Sequence, residues 1–358
     1  MTTEQRLETT FMFGNRPIGP SYPPLIIAEL SGNHNGDKAR AIALIDAIAA
    51  AGAEAVKFQT YTADTITIDH DGPDFLIDDG PWKGRRLHEL YQEAHTPWEW
   101  HADLLAHARA KGLLPFSSPF DASAVRFLES LDCPAYKIAS FECIDTPLIR
   151  TAAATGKPLI ISTGLADQAE IDAAVAAARE GGASGVALLH CVSAYPAPAE
   201  EYNLHTIPAL RQRHRVVVGL SDHTLGTATA VAACALGASI IEKHVTLARA
   251  DGGPDSGFSL EPDELARLIE DCKTAWQALG GIRQDPTEAE KGNVRFRRSL
   301  YAVRDIAEGE LFSAENVRSI RPGYGLPPSE IDTVIGRRAQ TAIARGTPLN
   351  RNLIVGTD

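Results

Sequence analysis

Val218-Gly-Leu-Ser-Asp-His223-Thr224 and Ile240-Ile-Glu-Lys-His244-Val245 are two apolar, β-branched runs, each carrying a histidine at its end. Between them residues 227–236 are alanine-rich and helix-forming, and Gly237 supplies the stop. Strand, helix and strand in that order predict parallel neighbours, so both imidazoles emerge at one C-terminal sheet edge. Two imidazoles so placed suit a divalent metal ion with coordination positions left open for a substrate. The same spacing equally fits two unconnected histidines, each satisfied by its own hydrogen bond.

Other apolar runs also end in residues able to do chemistry. They supply Glu29, then Lys57 with Gln59 and Thr60, then Ser117 and Ser118, then Lys137 with Ser140 and Glu142. Further along come Ser162 and Thr163, His190 with Ser193 and Tyr195, and Ser221 with Asp222. An isolated lysine near a strand end is ordinarily solvated or ion-paired. Lys57 and Lys137, inside mainly apolar segments and accompanied by repeated hydroxyls, instead predict a pocket for a small phosphorylated anion. Glu29 stands in Leu25-Ile-Ile-Ala-Glu-Leu30, where an unpaired carboxylate is costly. It can act as a general base or hold metal-bound water, and it can pair with Lys57 on the next strand; the roles are compatible. Trp82, Trp98 and Trp100 read as packing for a long loop rather than as ligand contacts.

Bringing these groups to one edge requires a parallel sheet. Candidate strands at 25–30, 55–59, 114–117, 135–139, 159–162, 186–190, 216–220 and 240–243 alternate with helix-forming stretches. Asp37 is placed to cap a helix over 38–51, Thr96-Pro-Trp-Glu99 reads as a capping box, and Asp121 can cap 122–131. Gly52, Gly182 and Gly237 each follow an alanine-rich helix and lead into a strand. Eight such units predict an α/β fold, a (β/α)8 TIM barrel with its active site at the strand C-terminal ends. An open doubly wound sheet is the alternative, but no glycine-rich phosphate loop follows the first strand.

Residues 10–20, with Gly14-Asn15 at the turn, predict a short hairpin ahead of the barrel. The last barrel helix is expected over Pro262–Leu279, closing a first domain at 1–282. A polar linker over 283–293 then leads to a β-rich domain at 294–358, with strands at 299–303 and 317–320 and a short helix capped by Ser329. Its 65 residues are near the lower limit for independent folding, so it is expected to lean on a partner surface.

The net charge of −12 argues against nucleic acid as the main partner. From Lys291 onward there are 11 Lys and Arg against 7 Asp and Glu, a balance of +4, while the remainder stands at −16. That asymmetry fits two domains that dock, and equally a merely solvated surface. No apolar run reaches membrane-spanning length, and the stretch from Met1 to Arg6 lacks a signal-peptide core. Cys133, Cys143, Cys191, Cys234 and Cys272 lack paired or metal-knuckle spacing, which fits a reducing cytoplasm.

Asn33-His-Asn-Gly36, Val56-Lys-Phe-Gln-Thr60, Tyr136-Lys-Ile-Ala-Ser140, Ile161-Ser-Thr-Gly164, Gly219-Leu-Ser-Asp-His-Thr224, Glu242-Lys-His244 and Gly253-Pro-Asp255 occur together and in order. In this the chain resembles the sialic acid synthase family, from about residue 12 to its end. Pro81-Trp-Lys-Gly-Arg85, Glu93-Ala-His-Thr-Pro-Trp98 and Arg321-Pro-Gly-Tyr-Gly-Leu326 resemble the branch whose acceptor is 2,4-diacetamido-2,4,6-trideoxy-L-altrose. The resemblance implies condensation of phosphoenolpyruvate with an open-chain amino-sugar aldehyde, giving a nine-carbon 2-keto acid and phosphate. It also implies a barrel followed by an antifreeze-like (SAF) domain, assembled as a domain-swapped homodimer.

Carried over residue by residue, the resemblance makes His223 and His244 the ligands of Mn²⁺, Mg²⁺ or Co²⁺. Lys57, Ser118, Lys137, Ser140, Ser162 and Ser221 correspond to the phosphoenolpyruvate pocket, and Glu29 to the acid that activates water. Glu142, Tyr195 and Asp255 match sugar contacts, and Arg321 the arginine that reaches into the partner's active site. Ser118 stands where threonine is frequent, and Leu165 where methionine is usual.

Three other readings compete. The same machinery can make N-acetylneuraminic or legionaminic acid. A metal-dependent aldolase or hydrolase on the same barrel leaves two phosphate-type lysines unexplained. A carbohydrate- or ice-binding module carried by an inactive barrel does not account for intact Glu29, Lys57, Lys137, His223 and His244.

Overall fold

Short apolar runs buried on both faces pair in parallel when a helix covers each crossover. The computed structural model of the protein describes residues 10–356 other than Pro81, and the Pro81-to-Arg85 motif therefore has its first residue outside the described residues. A hairpin of β1 (Phe11–Phe13) and β2 (Arg16–Ile18) comes first, turning at Gly14 with φ 57°. Its Phe11, Phe13 and Ile18 are buried in the barrel core. The parallel strands follow as β3 (Leu25–Glu29), β4 (Ala55–Thr60), β5 (Leu114–Pro119), β6 (Tyr136–Ile138), β7 (Leu159–Ser162), β8 (Val186–Cys191), β9 (Val217–Asp222) and β10 (Ile240–His244). Strand β10 pairs with both β9 and β3, which closes the barrel and excludes the open sheet.

Local signals explain most of the helix ends. Asp37 accepts from Ala39 N at 2.8 Å and starts helix Lys38–Ala50. Asp121 accepts from Ser123 N and Ala124 N, both at 3.0 Å, and starts helix Ala122–Ser130. Gly52, Gly182 and Gly237 adopt φ of 90°, 96° and 93°, the left-handed closure expected of them. The capping box expected at Thr96 does not form. Helix Trp98–Ala110 begins after Pro97 with no side-chain cap, while Thr96 is buried with its Oγ1 3.4 Å from His34 Nε2. Tertiary packing claims that hydroxyl before the helix can.

The chain divides into two compact units, Met1–Gly280 and Gly281–Asp358. The second unit pairs β11 (Ser299–Ala302) antiparallel with β12 (Val317–Ile320). It has a core of its own, in which Leu300, Ile306, Phe312, Val317, Ile343 and Leu349 are buried. Two details differ from expectation. Thr287 and Glu290 form a capping box for a short helix, Glu288–Lys291, inside the polar linker. Ser329 sits within a 3₁₀ turn, Pro328–Glu330, and caps nothing, because the following helix Ile331–Val334 continues directly from that turn. No helix among the described residues is long and apolar enough to cross a membrane.

Candidate active site

Side chains alternate along a barrel strand, so every second residue faces the interior. Register then decides which interior groups meet. Glu29 on β3 lies level with Lys57 on β4 and with His244 on β10. Lys57 Nζ is 2.5 Å from Glu29 Oε2, 3.6 Å from Glu242 Oε1 and 3.4 Å from Ser118 Oγ. Lys137 Nζ, arriving from β6, is 3.4 Å from the same Glu242 Oε1. Gln59 Nε2 donates to Glu29 Oε1 at 3.1 Å, and Ser221 Oγ donates to Glu242 Oε1 at 3.1 Å. Two ammonium groups and two carboxylates thus form one charged floor, with Glu29, Lys57, Lys137 and Glu242 all buried.

The four charges are not equivalent. Burial pushes the Glu242 carboxyl up, but Lys137 and Lys57 outweigh it and hold Glu242 below its ordinary value. Burial dominates at Glu29 and leaves it above its ordinary value despite Lys57. Burial also pulls Lys57 down, yet Glu242 and Glu29 reverse that and hold it up. Lys137, with Glu242 as its main support, stays lowered by burial. Glu242 is the ionised bridge, and Glu29 is the carboxylate with the greater appetite for a proton.

Buried polar atoms without hydrogen-bond partners are rare because each costs free energy. Asn33 Oδ1, Glu142 Oε2 and Ser162 Oγ are such atoms at or beyond the C-terminal ends of β3, β6 and β7, and Glu242 Oε2 is another, within β10. Their gathering marks this edge as a place for a polar ligand. Burial lifts Glu142 to about 7. Ser140 Oγ donates to Cys191 Sγ at 3.4 Å. A Cβ at residue 164 would stand 2.3 Å from Ser193 Oγ and 2.9 Å from Ser140 Oγ, so only glycine leaves these hydroxyls their place.

The histidines sit above this floor. His223, just past β9, and His244, ending β10, have ring centroids 5.5 Å apart. His223 Nδ1 is 3.0 Å from Val192 O, so this nitrogen donates and, in the neutral ring, Nε2 is the one left to coordinate. His244 Nδ1 is 3.2 Å from Ser31 Oγ and 3.9 Å from Asp255 Oδ2. Among the described residues no group of three or more His, Cys, Asp or Glu gathers at metal-holding distance. Two imidazoles with hydrogen-bonded Nδ1 atoms are compatible with an ion that keeps open positions, and not with a closed structural site.

A second ion pair backs the histidines from outside the barrel. Lys243 and Asp222, each the outward residue between two inward ones, are fully buried and 2.8 Å apart. Thr224 N and Oγ1 both donate to Asp222 Oδ1, and Lys243 Nζ donates to Thr224 O at 2.5 Å. This network clamps the turn that carries His223 against the strand that carries His244. Lys243 is thereby occupied, which leaves Lys57 and Lys137 as the strand-end lysines facing inward.

An aromatic rim rises from the histidines. The Tyr195 ring lies 4.5 Å from His223, 5.3 Å from Phe258 and 5.6 Å from Trp82, and Phe258 lies 5.0 Å from His244. Trp82, Arg85, Glu93, Tyr195, Ser256 and Phe258 line a cavity of about 500 Å³. Trp98 and Trp100 do pack as expected, on Phe127 and His34. Trp82 differs by facing this cavity. Arg321 belongs to the second unit, where it follows β12 and is exposed, as is Tyr324 of the same turn.

The closed parallel barrel carries ion-paired lysines and carboxylates inside it, an arrangement open to enzymes that act at the strand C-terminal ends. Residues 44–284 match the NeuB family and residues 297–355 the SAF domain. The chain belongs to the NeuB family and is a phosphoenolpyruvate-dependent nonulosonate synthase. It is 43% identical to the pseudaminic acid synthase of Campylobacter jejuni over 91% of this chain and 95% of that one. Identity to the N,N'-diacetyllegionaminic acid synthase of Legionella pneumophila is 34%, over 94% of this chain and 96% of that one. Among solved structures, the N-acetylneuraminic acid synthetase of Leptospira borgpetersenii superposes with a TM-score of 0.72 at 32% identity, covering 80% of this chain and 95% of that one.

Proposed function

We propose that this enzyme joins phosphoenolpyruvate to 2,4-diacetamido-2,4,6-trideoxy-L-altrose, giving pseudaminic acid and inorganic phosphate, with a divalent metal ion held by His223 and His244. The observation that carries the reaction is the buried floor in which Lys57 and Lys137 share Glu242. The choice of sugar is supported by higher identity to a pseudaminic than to a legionaminic acid synthase.

Lys57 and Lys137 receive the anion, exchanging Glu242 for phosphate and carboxylate oxygens, while Ser118, Ser140, Ser162 and Ser221 offer hydroxyls. Glu142, Tyr195 and Asp255 hold the sugar. The enol carbon C3 bonds to the aldehyde carbon, and the aldehyde oxygen ends as a hydroxyl. A Mn²⁺, Mg²⁺ or Co²⁺ ion at the two histidines supplies Lewis acidity, which the weakly nucleophilic enol carbon requires. The electron-poor C2 that results takes up water, and Glu29 accepts the proton that the water gives up. Gln59 and Lys57 orient Glu29 for that role, and its burial raises its affinity for the proton. The bond from C2 to the bridging oxygen then breaks as the C2 hydroxyl becomes the ketone, and phosphate leaves beside the two ammonium groups, the water's two protons ending on the aldehyde oxygen and the phosphate.

The active assembly is a domain-swapped homodimer in which Arg321 of one subunit orients the sugar bound to the other. Phe141, Ile144, Leu165 and Leu225, on loops after β6, β7 and β9, are 59%, 61%, 72% and 66% exposed, apolar surface that a partner subunit can cover. The reaction takes place in the cytoplasm, in keeping with five cysteines that are free and buried.

Phosphate release with the trideoxy altrose, N-acetylmannosamine and the legionaminic precursor, each with and without chelator, tests the reading. The trideoxy altrose should give the highest kcat/KM, and chelation should stop turnover until metal is returned. Preference for N-acetylmannosamine would reassign the sugar, and turnover unaffected by chelation would remove the metal.

A further inference from the structure

Trp82 faces the cavity at a measured remove from the two histidines. Two ring-to-ring steps, 4.5 Å from His223 to Tyr195 and 5.6 Å from Tyr195 to Trp82, lead outward along one wall. An extended six-carbon aldehyde has five C–C bonds of roughly 1.5 Å, a projected length of about 6 Å. With its aldehyde end at the histidines, its far carbon falls on the second of these steps.

Trp82 itself has little to offer a hydroxyl. Indole has a single N–H donor, and Trp82 Nε1 already donates to Pro254 O at 3.0 Å. On the cavity's outer side Arg85 Nη2 is 2.6 Å from Glu93 Oε2, and Ser256 Oγ donates to Gly253 O at 3.3 Å. What Trp82 itself offers is aromatic surface, which favours a methyl group and gives a hydroxyl no partner.

We infer that Trp82 is a specificity-determining residue that reads C6 of the acceptor, selecting the 6-deoxy sugar, with its terminal methyl, over a 6-hydroxy counterpart. This inference rests on the proposed substrate class. The hydrogen bond to Pro254 fixes the indole plane, so selection comes from a wall preset by the loop that follows β10.

The test compares kcat/KM for the trideoxy diacetamido altrose with that for the same sugar bearing a C6 hydroxyl. The wild-type enzyme should favour the deoxy sugar roughly tenfold to hundredfold, the range an apolar pocket gives for such a group. Trp82→Ala and Trp82→Gln should bring that ratio close to one, mainly through KM of the sugar, with KM for phosphoenolpyruvate unchanged. Trp82→Phe should restore most of the preference. A deoxy preference that persists undiminished in both the Ala and Gln variants, with phosphoenolpyruvate KM intact, would overturn the role of Trp82 alone. A wild-type enzyme that prefers N-acetylmannosamine would overturn the substrate class and this inference with it.

Discussion

Glu29, Lys57, Lys137 and Glu242 are each no more than 4% exposed and hold one another by charge, whereas Trp82, Tyr195 and Phe258, one layer further out, meet through rings. The floor sits within the strands themselves, so its geometry is tied to barrel register. The rim sits on loops after β4, β8 and β10. Chemistry that must manage a trianion and a developing cation needs fixed, dry charges. Choice of sugar needs a surface that can change without disturbing them, and loops on a barrel edge provide it.

If floor and rim divide the work in this way, substitutions should separate into classes. The largest effect is expected at the histidines. His223→Ala or His244→Ala should lower turnover roughly a thousandfold or more, since several kcal/mol of barrier depend on Lewis acid chemistry. Thermal unfolding without metal should stay close to wild type, and near-normal activity in either variant would remove both from the mechanism. Next come the lysines. Lys57→Met and Lys137→Met should each weaken phosphoenolpyruvate about tenfold to hundredfold, the worth of a charged hydrogen bond, with metal affinity little changed by calorimetry. Of the two, Lys57→Met should destabilise the fold more, because it strips both Glu29 and Glu242 of a cation.

The outer clamp gives a finer test of positioning. Asp222→Asn should reduce metal affinity about tenfold to hundredfold without touching any ligand, as loss of backing interactions commonly does. Unchanged metal affinity in a folded Asp222→Asn protein would make the pair purely structural. The smallest effect concerns pH. Glu142 is raised to about 7 by burial, so between its unfolded value near 4.3 and pH 7 the native state binds more protons than the unfolded state. Stability should therefore fall as pH rises through that window, by at most about 4 kcal/mol. Glu142→Gln should flatten that slope in denaturant titrations at pH 4.5, 6 and 7.5.

Floor and rim also differ in how far the sequence reveals them. Glu29, Lys57 and Lys137 stand out because a charge in a β-branched run is conspicuous, and the eight runs themselves are short, apolar and punctuated by glycine. What sequence does not reveal is register. Nothing near Glu242 in the chain indicates that it lies between lysines at 57 and 137, and alternation alone turns Lys243 away from them. Thr96 shows the opposite failure: a capping signal overridden because its hydroxyl is drawn to His34. Trp82 was read as loop packing, and it does hold Pro254 O; its cavity face depends on a loop some 170 residues away. Arg321 is legible only as an exposed arginine on a turn of the second unit.

The fate of the bridging oxygen tests the central claim most directly. Phosphoenolpyruvate labelled with ¹⁸O at the C–O–P bridge should yield labelled inorganic phosphate, one for each nine-carbon 2-keto acid formed, because the floor assists cleavage between carbon and oxygen. Unlabelled phosphate with the label retained in the keto acid, or product formed from pyruvate with no phosphoenolpyruvate consumed, would contradict the account.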